Sequence, residues 1–156
     1  GGSRMNTQSK RIQIQRYAHS RGLPLPTQQT LGAAGLDLYA AIKEPVILMP
    51  KERVLIPTGV AIALPPGYEA QIRPRSGLAL KYGLTILNAP GTIDSDYRGE
   101  IKVLLINLGP EPVTIQRGDR IAQCIVSTVT QISWVEVGEL PPTSRGKGGF
   151  GHTGYK

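Results

Sequence analysis

An all-β fold, a sandwich or barrel of short strands, is what this sequence predicts, and two observations carry the prediction. Thirteen prolines and 19 glycines punctuate the 156 residues, at intervals of roughly 8 to 12 residues that suit a succession of short strands. The stretches between them alternate polar with apolar residues or run apolar for a few positions, as half-buried and buried strands do. Helices have little room.

Residues 11–17 set Ile12 and Ile14 against Gln13 and Gln15, the alternation of a half-buried strand. Further strands are expected over 36–42, 53–56, 59–64, 68–73, 85–88, 101–108, 113–116 and 121–137. Between them stand turns of recognisable chemistry: Pro65-Pro66-Gly67, Ala89-Pro90-Gly91, Gly109-Pro110 and Arg117-Gly118-Asp119. The one helical candidate is 76–82, where Leu78, Ala79 and Leu80 follow a serine able to cap it. No internal repeat is present.

The length suits one domain with a real core. Gly1 to Arg4 precede Met5 and read as the remnant of an expression tag, so residues 1–10 are set aside as a flexible amino terminus. The β domain is expected over 11–140 and a flexible glycine-rich arm over 141–156. Residues 145–154 hold five glycines and one aromatic, Phe150, and cannot bury a strand face. A disordered tail is the ordinary reading of such a terminus, but an isolated aromatic between glycines argues against it. No run of 18 apolar residues and no secretory signal appear, and a soluble, cytosolic chain is expected. Cys124 is the single cysteine, which excludes an internal disulfide. The net charge of +7 is concentrated at one end: residues 1–36 carry five basic residues and no acid, whereas 37–156 hold 13 basic and 11 acidic residues. A near-neutral body with a solvated basic tail gives no reason to expect stable nucleic-acid binding.

Four segments bring together groups able to do chemistry. Pro74-Arg75-Ser76-Gly77 follows a strand, where N–H groups, a hydroxyl and a guanidinium converge on an anion, though a surface turn explains it equally well. Thr92 to Gly99 places Asp94 and Asp96 two residues apart beside Tyr97, at the end of an expected hairpin. These acids suit metal binding or water activation, and equally the capping of backbone amides in a polar turn. Arg120-Ile121-Ala122-Gln123 opens a long strand, with Arg120 paired to a neighbouring acid in its plainest reading. Asp37 alternates onto the polar face of its strand, Gly35 before it signals close backbone packing, and an ion pair with an arginine is its simplest role.

Taken in order, five segments resemble the motifs of the trimeric dUTP pyrophosphatases, the dUTPase family. They are Ala33-Ala-Gly-Leu-Asp-Leu-Tyr-Ala, Pro74-Arg-Ser-Gly-Leu-Ala, Gly91-Thr-Ile-Asp-Ser-Asp-Tyr-Arg-Gly, Gly118-Asp-Arg-Ile-Ala-Gln and Arg145-Gly-Lys-Gly-Gly-Phe-Gly-His-Thr-Gly. The likeness runs from about Ile12 over nearly the whole chain. It implies a jelly-roll-like β fold and a homotrimer whose active sites are shared between subunits, each closed by a carboxy-terminal arm. It also implies hydrolysis of dUTP to dUMP and pyrophosphate, which keeps uracil out of DNA and supplies dUMP for thymidylate synthesis.

Residue by residue, the resemblance sets the phosphates against Arg75, Ser76 and Gly77, with Gln123 nearby and Arg145 arriving on the arm. Arginine's planar fork suits phosphate oxygens. The uracil lies along a hairpin from Asn88 to Lys102, including Thr92 and Ile93, with Lys102 contributing its backbone and Phe150 stacking on the base. A tight hairpin refuses thymine's methyl, and Tyr97 under the deoxyribose refuses a 2′-hydroxyl. Asp94 activates the water that attacks the α-phosphorus, and Mg²⁺ on the triphosphate neutralises the leaving group, with Asp37 at most an outer-sphere contact.

Two alternatives remain. The related dCTP deaminases use a glutamate on the strand after the hairpin, where this chain has Val103, Leu104 and Leu105, and Glu100 lies too near the turn to replace it. A non-catalytic trimer binding a nucleotide, a protein or nucleic acid is the other, and retention of Asp94, Asp96 and the arm argues against it.

Overall fold

The computed structural model describes residues 9–154, so nearly all of the segment 1–10, and the last two residues of the arm, lie outside the described residues. Eleven strands follow in order: β1 (Gln13–Arg16), β2 (Leu36–Tyr39), β3 (Val46–Leu48), β4 (Arg53–Pro57), β5 (Val60–Ala63), β6 (Tyr68–Arg73), β7 (Leu84–Ile86), β8 (Gly91–Ile93), β9 (Lys102–Asn107), β10 (Val113–Ile115) and β11 (Arg120–Thr128). A helix, α1 (Ser76–Tyr82), joins β6 to β7, and a single 3₁₀ turn (Ala18–Ser20) follows β1.

Every ladder is antiparallel. The main sheet has the order β2-β11-β6-β8, a second has β4-β9-β7, and the pairs β1-β5 and β10-β3 complete the body. Alternation points one face inward along the core strands: Val103, Leu105 and Asn107 from β9, Ala70 and Ile72 from β6, Ile93 from β8; β1, expected to be half-buried, is exposed at all four positions. The inward apolar residues join Leu38, Leu48, Ile56 and Ile115 in one buried cluster. Each such leucine or isoleucine stabilises the fold by about 1.5–3 kcal/mol, and the cluster draws on both sheets and on the β10-β3 and β1-β5 pairs.

Several expectations are corrected. The last strand stops at Thr128, well short of residue 137, because its partner β6 begins at Tyr68 after Pro65-Pro66-Gly67. Prolines have no N–H with which to extend a ladder. Residues 46–48 and 91–93, read as connections or turns, form strands. Nor do residues 88–102 make a hairpin: β8 pairs with β6, and β9 pairs with β4 and β7. The segment between them crosses from one sheet to the other through a turn in which the Tyr97 N–H donates to the Asp94 carbonyl at 3.1 Å.

Helix α1 forms as expected, but Arg75 occupies its N-cap, with extended backbone and no side-chain cap bond, while Ser76 is its first helical residue. Gly83 ends the helix in the left-handed conformation, φ 70°, and returns its N–H to Ala79; glycine alone adopts that geometry without a Cβ penalty. Asp37 is buried at 7 % exposure, against the polar face predicted for it. An isolated bridge from Thr27 covers the open edge of β2, and an arginine neutralises the carboxylate.

Candidate functional site

The register of the main sheet assembles the first cleft. Central strand β11 sets Gln123 opposite Asp37 of β2 on one side and Arg73 of β6 on the other. Strand β6 then runs through Pro74 and Arg75 into helix α1, so Arg75, Ser76 and Gly77 arrive beside Asp37 and Gln123. These residues, with Gln29 and the 33–35 segment, line a cleft of about 350 Å³.

Arg75 Nε lies 3.2 Å from Asp37 Oδ1, and its Nη1 donates to the Arg120 carbonyl at 3.3 Å. Gln123 Nε2 donates to the Pro74 carbonyl at 3.0 Å, which ties the strand to the turn. Gly35 is required by close approach, since a Cβ there would lie 3.1 Å from Gln123 Cβ and would overlap its amide oxygen. Ser76 and Gly77 are exposed at the start of the helix, where the first N–H groups lack intrahelical acceptors. The result is a cradle of one guanidinium, free N–H groups, a hydroxyl and an amide, which suits an anion.

A second cleft, of about 640 Å³, opens where the chain crosses between the sheets. Asn88, Thr92, Asp94, Tyr97 and Lys102 line it, with Gly91, Ile93 and Ile72 on its floor. Thr92 and Asp94 share the outward face of β8 and its extension, while Gly91 and Ile93 are buried. Asp94 therefore offers an exposed carboxylate at the rim. The Tyr97 hydroxyl donates to the Glu100 carbonyl at 2.9 Å, which holds the ring over Gly99. Mixed apolar walls with a few convergent polar groups are what a small-molecule pocket presents.

Among the described residues no side chain lines both clefts. The predicted site residues thus fall into two groups, and Arg145 and Phe150 join neither. They belong to a hollow formed by the arm itself, where Arg145 Nε donates to the Gly148 carbonyl at 2.7 Å and Phe150 is fully exposed. Sequence reasoning missed Tyr17, Leu55 and Ile86 in the second cleft. Leu55 and Ile86 come from the β4-β9-β7 sheet and Tyr17 from the residue after β1, whereas β8 belongs to the main sheet, so no local spacing signals that they meet.

A model of the dUTPase family matches residues 21–154. The chain belongs to the dUTPase family. Among the relatives of this dUTPase-family chain is the deoxyuridine 5′-triphosphate nucleotidohydrolase of Caldanaerobacter subterraneus subsp. tengcongensis. It is 59% identical over 143 residues, covering 92% of this chain and 97% of that one. The enzyme of that name from Wolbachia pipientis subsp. Culex pipiens is 55% identical over 146 residues, covering 92% and 95%.

Solved dUTPases share the architecture. A mutant dUTPase of Staphylococcus bacteriophage 80alpha with dUpNHpp has a TM-score of 0.82 at 25% identity, covering 94% of this chain and 99% of that one. A mutant dUTPase from phage phi11 of S. aureus, in which the coordination of a structural Mg(II) ion was resolved, has a TM-score of 0.72 at 25% identity, covering 83% and 98%. The fold is accordingly the jelly-roll-like β fold of dUTPases. No helix among the described residues is long and apolar enough to cross a membrane.

Proposed function

We propose that this chain hydrolyses dUTP to dUMP and pyrophosphate, removing a precursor of uracil in DNA and supplying dUMP for thymidylate synthesis. The observation that carries the reading is the exposed carboxylate of Asp94 at the rim of a nucleoside-sized cleft, in a member of the dUTPase family. Uracil lies along Asn88, Thr92, Ile93 and the backbone of Lys102, and Tyr97 packs under the deoxyribose. Because Tyr97 is held to the Glu100 carbonyl, its ring has little freedom to yield to a 2′-hydroxyl.

The triphosphate lies in the other cleft, against Arg75, Ser76, Gly77 and Gln123. Since the two clefts share no lining residue, one nucleotide is best served by clefts from different copies, which supports a homotrimer with shared sites. The arm then brings Arg145 to the phosphates and Phe150 to the base of a neighbouring site, which accounts for a phenylalanine left wholly exposed in the single chain. Asp94 takes a proton from water as its oxygen bonds to the α-phosphorus; the bridging P–O bond breaks and pyrophosphate leaves in line.

Among the described residues no cluster of three metal-ligating side chains occurs, so Mg²⁺ takes its main ligands from the triphosphate and water. Asp37 Oδ2, buried and without a hydrogen-bond partner beside Arg75, fits an outer-sphere contact through a metal-bound water. When bound, the ion neutralises charge building on the leaving pyrophosphate. Dependence on a free nucleotide pool and a single buried thiol suit the cytosol.

Deamination of dCTP is disfavoured by chemistry. Strand β9 carries Val103, Leu104 and Leu105, and the Glu100 carboxylate is already engaged by His19 Nε2 at 2.7 Å and the Gly59 N–H at 2.9 Å. The deciding assay measures pyrophosphate release from dUTP, dTTP, dCTP and UTP, with Mg²⁺ and with chelator, while scoring ammonia from dCTP. Mg²⁺-dependent release from dUTP alone supports the proposal. Ammonia would reassign the chain to the deaminases, and silence in every assay would favour a binding protein.

A further inference from the structure

Behind the wall of the second cleft lies a cluster that none of the five motif segments explains. The 3₁₀ turn after β1 presents His19, whose Nε2 lies 2.7 Å from Glu100 Oε2; a carboxylate only accepts, so that nitrogen carries the proton. The Gly59 N–H donates to the same oxygen at 2.9 Å. On its other side the His19 ring stacks on Tyr17, with centroids 5.9 Å apart and planes at 15°.

Both neighbours of His19 belong to the cleft, because Tyr17 and Glu100 line it together with Tyr97. Glu100 is gripped three times, through its carboxylate by His19 and the Gly59 N–H and through its carbonyl by the Tyr97 hydroxyl at 2.9 Å. The turn bearing His19 is itself fixed from several directions. Arg117 Nη1 donates to the His19 carbonyl at 2.7 Å and Nη2 to the Arg21 carbonyl at 2.8 Å. The buried Ser20 hydroxyl bonds to the Gly59 carbonyl at 2.9 Å, and the Tyr17 N–H donates to that same carbonyl at 2.8 Å.

We infer that His19 is a positioning residue for nucleoside recognition: it sets the Tyr17 ring as one wall of the cleft and, through Glu100, fixes the turn that carries Tyr97. Ser20 of this turn is buried, but the His19 side chain is one-third exposed, so its bond to Glu100 is not needed to fill the core. The inference rests on the reading of this cleft as the deoxyuridine pocket. Its consequence is selective: loss of His19 loosens the grip on the nucleoside and leaves the phosphate cleft, which shares no lining residue with it, unaffected.

The test uses the full chain, with steady-state kinetics on dUTP and calorimetric binding of dUMP and of inorganic pyrophosphate. His19→Ala is expected to raise KM for dUTP and weaken dUMP about tenfold, with kcat changed less than about twofold, since small misplacements of a binding wall have effects of this order. Pyrophosphate affinity stays at the wild-type value. His19→Gln, which keeps an N–H within reach of Glu100, recovers most of the loss.

Equal weakening of dUMP and pyrophosphate, or a fall in kcat at constant KM, would overturn the inference in favour of a general structural role. If His19→Ala does not fold, Tyr17→Ala decides: weaker dUMP with unchanged pyrophosphate supports it, and unchanged dUMP refutes it. A wild-type chain that fails to bind dUMP removes the underlying pocket reading and this inference with it, whereas normal wild-type binding with unweakened variants removes the inference alone.

Discussion

Asp37 Oδ1 holds Arg75 by its Nε at 3.2 Å, while the second oxygen of the same carboxylate is buried, accepts no hydrogen bond and has Arg120 Nη1 only at 4.0 Å. Leaving a buried oxygen unsatisfied costs about 1–3 kcal/mol, a cost that a metal-bound water in the substrate complex would offset. Asp37→Asn removes the charge that orients the guanidinium and substitutes a donor for an acceptor. The expected result is a loss of about 10- to 100-fold in kcat/KM, typical of residues that orient a ligand from behind, with a raised Mg²⁺ requirement. Kinetics titrated with Mg²⁺ check it, and an unchanged metal requirement would detach Asp37 from the ion.

Asp94 stands one residue beyond the buried Ile93, exposed, at the start of the turn between the sheets. Its replacement disturbs no packing, so its effect should be chemical. Asp94→Asn is expected to lower kcat by about 10²- to 10⁴-fold, the usual contribution of a general base, with nucleotide affinity largely intact. Single-turnover rates set beside calorimetric binding separate the two, and near-normal turnover would remove Asp94 from that role.

How much of this was legible depends on the range of the interaction involved. That residues 101–108 form a strand is local and legible in their apolar run, but the inward face of β9 is not, since Leu104 and Ile106 are as apolar as Val103 and Leu105 and the buried Asn107 is polar. Helix α1 was legible for the same reason, although the serine that looked like its cap proved to lie inside it. The partner of β8 was not legible, because the Asn88-Ala89-Pro90 turn before it and an acidic turn after it suit a hairpin as well as a crossing; pairing with β6 is decided by the whole sandwich. Likewise the end of β11 is set by Pro65 and Pro66 on another part of the chain. Asp37 alternates as a surface residue would, and only the arrival of Arg75 from the turn between β6 and α1 makes its burial tolerable.

The arm yields a test that separates site from scaffold. Arg145 and Phe150 are exposed, and their segment contributes nothing to the buried cluster. Truncation before Arg145 should therefore nearly abolish dUTP hydrolysis while moving Tm by no more than about 2 °C, as expected where no core contact is lost. Thermal melts run beside the pyrophosphate assay check both halves. A large fall in Tm would show that the arm is structural.

Cys124 provides a pH prediction with a definite sign. It sits mid-strand in β11 between Leu36 and Ile72, buried at 4 % exposure, and burial pushes its thiol up from 9.0 to about 11. The neutral thiol is therefore favoured in the folded chain, whereas the unfolded chain ionises first as pH rises. Between these two values the unfolded state binds fewer protons, so stability falls with rising pH and is undiminished below about 9. The full loss is on the order of 2 to 3 kcal/mol. Other groups titrate in the same range, so the quantity to measure is the difference in denaturant midpoint between the wild type and Cys124→Ala at pH 8 and at pH 11. The wild type should lose ground against the variant at the higher pH, and its thiol should resist alkylation at pH 8 until the chain is unfolded. Rapid labelling of the native protein at pH 8 would mean that β11 opens locally, and that the strand carrying Gln123 is not the rigid centre of the cleft lined by Asp37 and Arg75.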